Sequence, residues 1–127
     1  MSNLNYPTKE SIERLVKDLN LVKGDSFTQE WECEAADVNR IEDFLSYYES
    51  AKLNSNEKVT LMRLILESYN DYVCEFGYNA VFACKLKRIL ENEKTFFKDV
   101  IEYWSYGDEE LEDCFAITSF MREIRDR

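Results

Sequence analysis

The strongest constraint on the fold comes from residues 57–73, the stretch EKVTLMRLILESYNDYV. Its apolar residues are Val59, Leu61, Met62, Leu64, Ile65 and Leu66. On a helix they occupy nearly every face, and a helix that is apolar all round lies in the interior with other helices packed against it. The stretch is too short to span a bilayer, and Arg63 and Glu67 interrupt it. It therefore predicts a central core helix.

Helical periodicity also predicts helices at about residues 7–21, 38–51, 79–92 and 94–104, and a last short helix after residue 117. Gly24 is the expected end of the first helix, and Asp37 is the expected N-cap of the second. Asn54 or Ser55 is expected to cap the central helix, with Glu57 reaching back to it. Thr118 or Ser119 is the expected cap of the last helix.

Residues 27–34 alternate between apolar and acidic side chains, which indicates either a strand or an extended segment lying over the helices. A lone strand needs a partner, and residues 114–118 are the only candidate. The predicted class is therefore all-α with at most one short extended segment. We expect a compact multi-helix bundle or a short stack of antiparallel helix pairs. The length of 127 residues predicts a single domain, residues 1–127.

The chain contains no histidine, which excludes Ser-His-Asp and Cys-His catalysis and HExxH zinc sites. The four cysteines include no CxxC pair, so zinc-knuckle and thioredoxin-type sites have no support, and we expect buried, reduced thiols. The first residues lack the basic start and apolar run of a signal peptide, which predicts a cytoplasmic protein. We predict no cofactor and no metal ion.

Most of the net charge of −10 arises in two segments. Residues 25–49, the first acidic segment, hold eight carboxylates against Arg40, and residues 99–113, the second acidic segment, hold seven and no basic residue. Such surfaces repel nucleic acids and anionic membranes and attract basic proteins. We therefore expect a basic protein partner, and neither nucleic acid nor membrane binding.

The second acidic segment contains five carboxylates within residues 108–113, close to Tyr103, Trp104 and Tyr106. The carboxylates repel one another unless a cationic partner neutralises them, and the aromatic residues would supply contact area. The predicted partner-binding residues here are Asp108, Glu109, Glu110 and Glu112. The alternative is a solvated loop whose aromatic neighbours belong to the core, Trp104 above all.

The first acidic segment supplies the second candidate surface. On a helix from residue 38, Asp43 and Tyr47 lie four residues apart on one face, away from the apolar stripe. A tyrosine exposed among carboxylates suits a protein interface. The predicted partner-binding residues here are Glu32, Glu34, Asp43 and Tyr47. The alternative is an ordinary solvated helix face.

Two other chemistries have less support. Carboxylates bind Ca²⁺ or Mg²⁺, but residues 108–113 lack the order of acids and glycine of an EF-hand. A basic cluster could bind phosphate or RNA, but in a chain this acidic we expect its members to pair with neighbouring carboxylates. The cluster comprises Lys85, Lys87, Arg88, Lys94 and Lys98.

Three stretches carry a resemblance: WECEAADVNRIEDFLSYYE, LMRLILESYNDYV and VIEYWSYGDEELEDCFAITSFMREI. Together they resemble small, acidic, mostly helical bacterial proteins of the toxin-immunity type. The resemblance implies a non-enzymatic protein that binds a cognate toxin, in many cases a basic nuclease, and blocks its active or substrate-binding surface. The alternatives are a scaffolding helical module that forms homo-oligomers and, with least support, a metal-dependent enzyme that uses carboxylates.

Overall fold

The computed structural model describes residues 8–21, 35–105 and 115–126 of the chain. These residues contain six α-helices and no β-strand, so the predicted all-α class is confirmed. The helices are α1 (Lys9–Leu19), α2 (Ile41–Ser50), α3 (Ser55–Phe76), α4 (Ala80–Asn92), α5 (Lys98–Ser105) and α6 (Thr118–Asp126). The predicted extended segment, residues 27–34, lies outside the described residues.

The central helix is α3, and its apolar residues are buried as predicted. Val59 is 2% exposed, and the other five apolar residues named above are fully buried. The capping prediction is also confirmed. The side chain of Asn54 accepts a hydrogen bond from the Glu57 N–H at 2.9 Å, and the Glu57 carboxylate accepts one from the Asn54 N–H at 2.9 Å. This reciprocal pair satisfies two backbone donors that a helix start otherwise leaves open.

Three predicted helix limits are wrong. The first helix ends at Leu19, because Asn20 takes the left-handed conformation (φ 53°) that commonly ends a helix, well before Gly24. Asp37 does not cap α2: its carboxylate accepts a hydrogen bond from the Asn39 N–H at 2.8 Å, and α2 begins at residue 41. The helix predicted at residues 94–104 begins only at residue 98, because residues 93–97 form a series of turns.

The chain forms two compact units, residues 1–68 (unit 1) and residues 69–127 (unit 2). Unit 1 contains α1, α2 and the larger part of α3, and unit 2 contains the end of α3 with α4, α5 and α6. The single domain and the choice between bundle and stack stay predictions.

In unit 2, α5 and α6 run antiparallel. The Thr118 hydroxyl donates to the Trp104 carbonyl at 2.8 Å, and Arg122, one turn further along α6, donates to the Ser105 carbonyl. The side chain of Arg125, at the other end of α6, lines the same cavity as Lys98 and Ile101.

Two further findings concern the surface. Cys74 and Cys84 are free and exposed, so the prediction of buried thiols is wrong for these two. Cys74 lies in the last turns of α3, beside exposed Glu75 and Phe76 and beyond the fully buried part of that helix. Among the described helices, none combines the length and the hydropathy needed to cross a membrane.

Candidate protein-binding site

Two of the eight predicted partner-binding residues, Asp43 and Tyr47, belong to the described part of the chain, and both lie on α2. The other six are outside it, and their roles stay predictions: Glu32, Glu34, Asp108, Glu109, Glu110 and Glu112. The described part of the predicted site therefore lies on α2, in unit 1.

One face of α2 is anchored in the core and the opposite face is acidic. Ile41, Phe44 and Leu45 are buried with at most 1% exposure. The exposed residues of the other face are Glu42, Asp43, Ser46, Glu49 and Ser50. We call Glu42, Asp43 and Glu49 the acidic face of α2. Because the opposite side of the helix is fixed by packing, these carboxylates are presented on a rigid support.

Asp43 has a neighbouring cation. The Arg40 Nε atom lies 3.3 Å from the Asp43 carboxylate, and the same guanidinium lies over the Phe44 ring, 5.4 Å from its centroid. A surface ion pair of this kind contributes little to stability. It does offset part of the Asp43 charge.

Tyr47 is only partly exposed, and its hydroxyl is engaged. It donates a hydrogen bond of 2.6 Å to the Asp18 carboxylate on α1. Burial, followed by this hydrogen bond and the charge of Asp18, raises the pKa of Tyr47 to about 12. The same hydrogen bond, with help from Arg14, lowers the pKa of Asp18. Tyr47 therefore ties α2 to α1 and leaves only part of its ring accessible to a partner.

Arg14 extends this contact into a network across unit 1. Its Nη1 atom donates to the Glu57 carboxylate at 2.6 Å and to the Lys52 carbonyl at 2.8 Å, and its Nε lies 3.3 Å from Asp18. The hydrogen bond to Glu57 is the main reason why the pKa of Arg14 is raised. We call Arg14, Asp18, Tyr47 and Glu57 the polar network. It joins α1, α2, α3 and the connection between α2 and α3.

Arg14 and Asp18 are not among the residues predicted from the sequence. Their spacing of four residues in α1 was a usable signal, because side chains at that spacing are neighbours on a helix. The hydrogen bond between Tyr47 and Asp18 joins residues 29 positions apart, and no sequence periodicity predicts such a contact.

Unit 2 exposes apolar side chains where α3 ends and α4 begins. Phe76, Tyr78 and Val81 are 60%, 52% and 60% exposed, and we call them the aromatic corner. The Tyr72 ring supports it, with centroid distances of 5.0 Å to Phe76 and 5.5 Å to Phe82. This surface was not predicted, although the aromatic residues on both sides of Gly77 were a visible signal in the sequence.

Tyr69 is the centre of the aromatic cluster in unit 2. It is fully buried, and its ring contacts four others at centroid distances of 6.1–6.3 Å: Tyr72, Tyr78, Phe82 and Phe120. Its hydroxyl accepts from the Asn79 N–H at 3.2 Å and lies 3.3 Å from the Asn79 carbonyl. The cluster therefore positions the turn that carries the aromatic corner.

A groove in unit 2 adjoins this surface. It has a volume of about 540 Å³, and Tyr78 of the aromatic corner lines it. The other lining residues come from α4 and α6: Ala83, Cys84, Lys87, Ser119, Phe120 and Glu123. A lining of apolar side chains with one cation and one carboxylate suits an amphipathic ligand.

The aromatic residues within the second acidic segment differ in exposure. Trp104 is 4% exposed and its ring lies 4.6 Å from that of Phe115, so the interpretation of Trp104 as a core residue is confirmed. Tyr103 is 61% exposed and stacks on Phe115 at 5.5 Å. Tyr106 lies outside the described residues.

Two members of the basic cluster, Lys94 and Lys98, line a second cavity of about 420 Å³ together with Arg125 and Glu102. The Arg125 guanidinium makes hydrogen bonds of 2.8 and 3.1 Å to the Asp126 carboxylate, so cations and carboxylates are interspersed there. Within the described ranges, no three Cys, Asp or Glu side chains are grouped so that they could hold a metal ion.

The described residues present two candidate surfaces, an acidic helix face in unit 1 and an apolar corner with a groove in unit 2. Searches against protein-family models, curated proteins and solved structures find no match to this chain.

Proposed function

We propose that this protein binds a basic protein partner, and that it serves as an immunity protein that neutralises a basic toxin by occluding its active or substrate-binding surface, without turnover. The observation that carries the proposal is the acidic face of α2. Three exposed carboxylates project from a helix whose other side is locked in the core, so a partner meets a preformed surface. Little ordering entropy is then lost on binding.

The charge of the chain supports the same proposal. A net charge of −10 steers cationic partners toward the protein and accelerates association at low salt. A nuclease toxin presents a cationic surface to its phosphate substrate, and a carboxylate-bearing helix suits that surface. The resemblance to immunity-type proteins points in the same direction.

The first test is affinity capture from the native host with tagged protein. The resin is washed at low and then at high salt, and retained proteins are identified by mass spectrometry. We expect a basic protein that is held at low salt and partly released at high salt. An uncharged or acidic partner held equally at both salt concentrations would contradict the proposal.

The purified partner then allows a sharper test. The double variant Glu42→Lys/Glu49→Lys should slow association at low salt by about tenfold, because it reverses the potential of the acidic face. The matched control is Glu10→Lys/Glu13→Lys, which makes the same charge change on exposed positions of α1. Equal slowing by both variants would show that only net charge matters and would remove α2 from the site.

The second acidic segment is tested in the same assay. Replacing Glu109, Glu110 and Glu112 together with Lys should slow association and weaken binding, with nearly unchanged thermal stability. An unchanged affinity would remove that segment from the proposed interface.

Self-association is the second candidate function, because the aromatic corner exposes apolar side chains. Sedimentation at several protein concentrations distinguishes self-association from the immunity function proposed above. A monomer at all concentrations favours the immunity proposal, and a concentration-dependent dimer favours a scaffold.

A further inference from the structure

The cavity of about 420 Å³ in unit 2 is not used by the protein contact proposed above. Its volume lies within the range of roughly 300–1,000 Å³ that is typical of sites for small ligands. The turns before α5, α5 itself and the end of α6 supply its lining. We call it the cationic cavity, and the described residues that line it are Lys94, Thr95, Lys98, Ile101, Glu102 and Arg125.

Positive charge predominates in the cationic cavity. The lining holds three cations, Lys94, Lys98 and Arg125, and one carboxylate, Glu102. This balance is the reverse of that of the whole chain, in which 26 acidic residues oppose 16 basic ones. Cations gathered around one concave surface raise the local concentration of anions. The charge of the lining therefore selects an anionic ligand.

The segment over residues 94–98 is held in a defined conformation. Phe97 is fully buried, and Ile101 is 2% exposed. The Phe97 N–H donates to the Glu93 carbonyl at 2.9 Å, and the Ile101 N–H donates to the Phe97 carbonyl at 2.9 Å. The backbone that carries the two lysines is thus fixed by packing and by helical hydrogen bonds. Little backbone entropy is then lost when a ligand binds.

A carboxylate at the end of α6 responds to these cations. Asp126 accepts hydrogen bonds of 2.8 and 3.1 Å from Arg125. These hydrogen bonds are the main reason why the pKa of Asp126 is lowered, and the charges of Arg125, Lys94 and Arg122 lower it further. When Asp126 and Arg122 are counted with the lining, four cations oppose two carboxylates. The excess of positive charge therefore extends beyond the lining itself.

Two more carboxylates, Glu93 and Asp99, are sequence neighbours of the lysines. Neither is among the described residues that line the cationic cavity. Asp99 lies in the first turn of α5, where it offsets the positive end of the helix dipole. The nearest charges to a ligand inside the cavity are therefore those of the lining.

A phosphate monoester matches the cationic cavity better than a carboxylate does. The lining has an excess of two positive charges, three cations less one carboxylate. A phosphate monoester carries about −1.5 to −2 charges near neutral pH and three acceptor oxygens. The lining supplies the corresponding donors, two ammonium groups, a guanidinium and the Thr95 hydroxyl.

The rest of the lining favours a sugar as the group that carries the phosphate. A phosphate alone would fill only a small part of about 420 Å³. No aromatic side chain is among the described lining residues, so none is in place to stack on a nucleobase. Glu102 and Thr95 can form hydrogen bonds with sugar hydroxyl groups, and Ile101 offers a small apolar contact. A sugar phosphate therefore fits this lining better than a nucleotide.

We propose that the cationic cavity binds a sugar phosphate. Lys94, Thr95 and Lys98 donate to the phosphate oxygens, and Arg125 adds positive charge. Glu102 accepts a hydrogen bond from a sugar hydroxyl. RNA is a poor occupant, because a chain with a net charge of −10 repels a polyanion. The proposal does not depend on the immunity function, since the acidic face of α2 takes no part in it.

The test is calorimetric titration of the wild-type protein with ribose 5-phosphate at low salt. Ribose, inorganic phosphate, AMP and a single-stranded RNA are titrated in parallel. We expect ribose 5-phosphate to bind at least about tenfold more tightly than ribose, because ribose lacks the charged acceptors. It should also bind more tightly than the other three. No binding of ribose 5-phosphate, or equal binding of ribose, would overturn the proposal. Tighter binding of AMP or RNA would overturn the choice of a sugar phosphate.

Variants locate the site. Lys94→Met/Lys98→Met should weaken binding of ribose 5-phosphate by about tenfold or more, because two charged donors are lost while the length of the side chains is kept. The matched control is Lys85→Met/Lys87→Met, which makes the same charge change on α4, away from the described lining. Circular dichroism checks that each variant is folded. Equal weakening by both would show that only net charge matters and would overturn the placement.

A third variant should change the affinity in the opposite direction. Glu102→Gln removes a like charge from the cavity and should tighten binding of inorganic phosphate by about threefold. A merely structural role of Glu102 would not produce tighter binding. An unchanged or weakened phosphate affinity of this variant would contradict binding in the cationic cavity.

Discussion

The two units fix a partly exposed tyrosine by different physical means. In unit 1, Tyr47 donates to the Asp18 carboxylate at 2.6 Å, and Arg14 and Glu57 extend the contact through charged groups. In unit 2, Tyr78 donates to a backbone carbonyl, and its ring packs among other aromatic rings. The stability of unit 1 should therefore respond to protonation and charge, and that of unit 2 to the loss of apolar contacts.

The two units also differ in the surfaces that they expose. The exposed surface of unit 1 around α2 is acidic, and that of unit 2 around the aromatic corner combines apolar side chains with charges of both signs, Glu75 on α3 and Lys85 on α4 among them. Charged surfaces mainly set the rate of encounter, and buried aromatic contacts mainly set the lifetime of a complex. The acidic face of α2 would thus change mainly the association rate of the proposed basic partner.

The largest expected effect comes from removing the centre of the aromatic cluster. Tyr69→Ala should lower the free energy of unfolding by about 3–5 kcal/mol, because a fully buried aromatic ring is lost and a cavity remains. Urea denaturation followed by circular dichroism measures this. The control Tyr69→Phe removes only the hydroxyl and should cost about 1 kcal/mol.

A loss below about 1.5 kcal/mol for Tyr69→Ala would contradict this role. It would show that the four neighbouring rings do not depend on Tyr69, and that aromatic packing does not dominate the stability of unit 2.

The next effect is expected in the polar network. Glu57→Ala should cost about 2 kcal/mol, because the carboxylate accepts hydrogen bonds from both the Asn54 N–H and Arg14. Glu57→Gln is the matched control, since its amide oxygen can still accept from Asn54 but the charge facing Arg14 is gone. Urea denaturation at low and high salt separates the two terms. If both variants lower the free energy of unfolding equally, the effect comes from the charge of Glu57, and the cap contributes little.

The central features of the fold could be predicted because their signals are local. The burial of α3 follows from apolar residues on nearly every face of one helix, and its capping box joins residues three apart. The start of α2 could not be predicted in the same way. Asp37 has the side chain of an N-cap, but it bonds to Asn39 in a turn, and which of two local bonds forms depends on how the chain packs.

The candidate site was less accessible from sequence. The acidic character of α2 follows from composition, and Asp43 is exposed as a binding residue requires. The engagement of Tyr47 does not follow, because Asp18 lies 29 residues earlier and only folding brings the two together. The aromatic corner was missed because the exposure of Phe76 and Val81 depends on where α3 and α4 pack.

A smaller effect tests the turn that carries the aromatic corner. Gly77 has a positive φ of 86°, and its N–H donates to the Val73 carbonyl at 2.9 Å. Gly77→Ala meets no atom within 4 Å, so only backbone strain opposes it, and the expected loss is about 1 kcal/mol. Gly77→Asn should lower the stability by less than Gly77→Ala does, because asparagine tolerates this conformation. Thermal denaturation measures both, and a larger loss for Asn than for Ala would contradict the argument.

The smallest effect at neutral pH is expected at Tyr47, and its pH dependence tests whether the folded state holds the hydroxyl proton. Tyr47→Phe should cost about 0.5 kcal/mol at pH 7, the contribution of one partly exposed hydrogen bond to a carboxylate. The pKa of Tyr47 is about 12 in the folded protein, above the ordinary value of 10, so the folded state holds this proton more tightly than the unfolded state does. The advantage of the wild type over Tyr47→Phe is thus complete below pH 10 and declines between pH 10 and 12. The urea midpoints of both proteins, measured across that range, give the difference in stability. Other groups that titrate at alkaline pH affect both proteins equally, so their effects cancel in this difference. A difference that stays constant up to pH 12 would show that the folded state does not hold the Tyr47 proton, and that the polar network of unit 1 ends at Asp18.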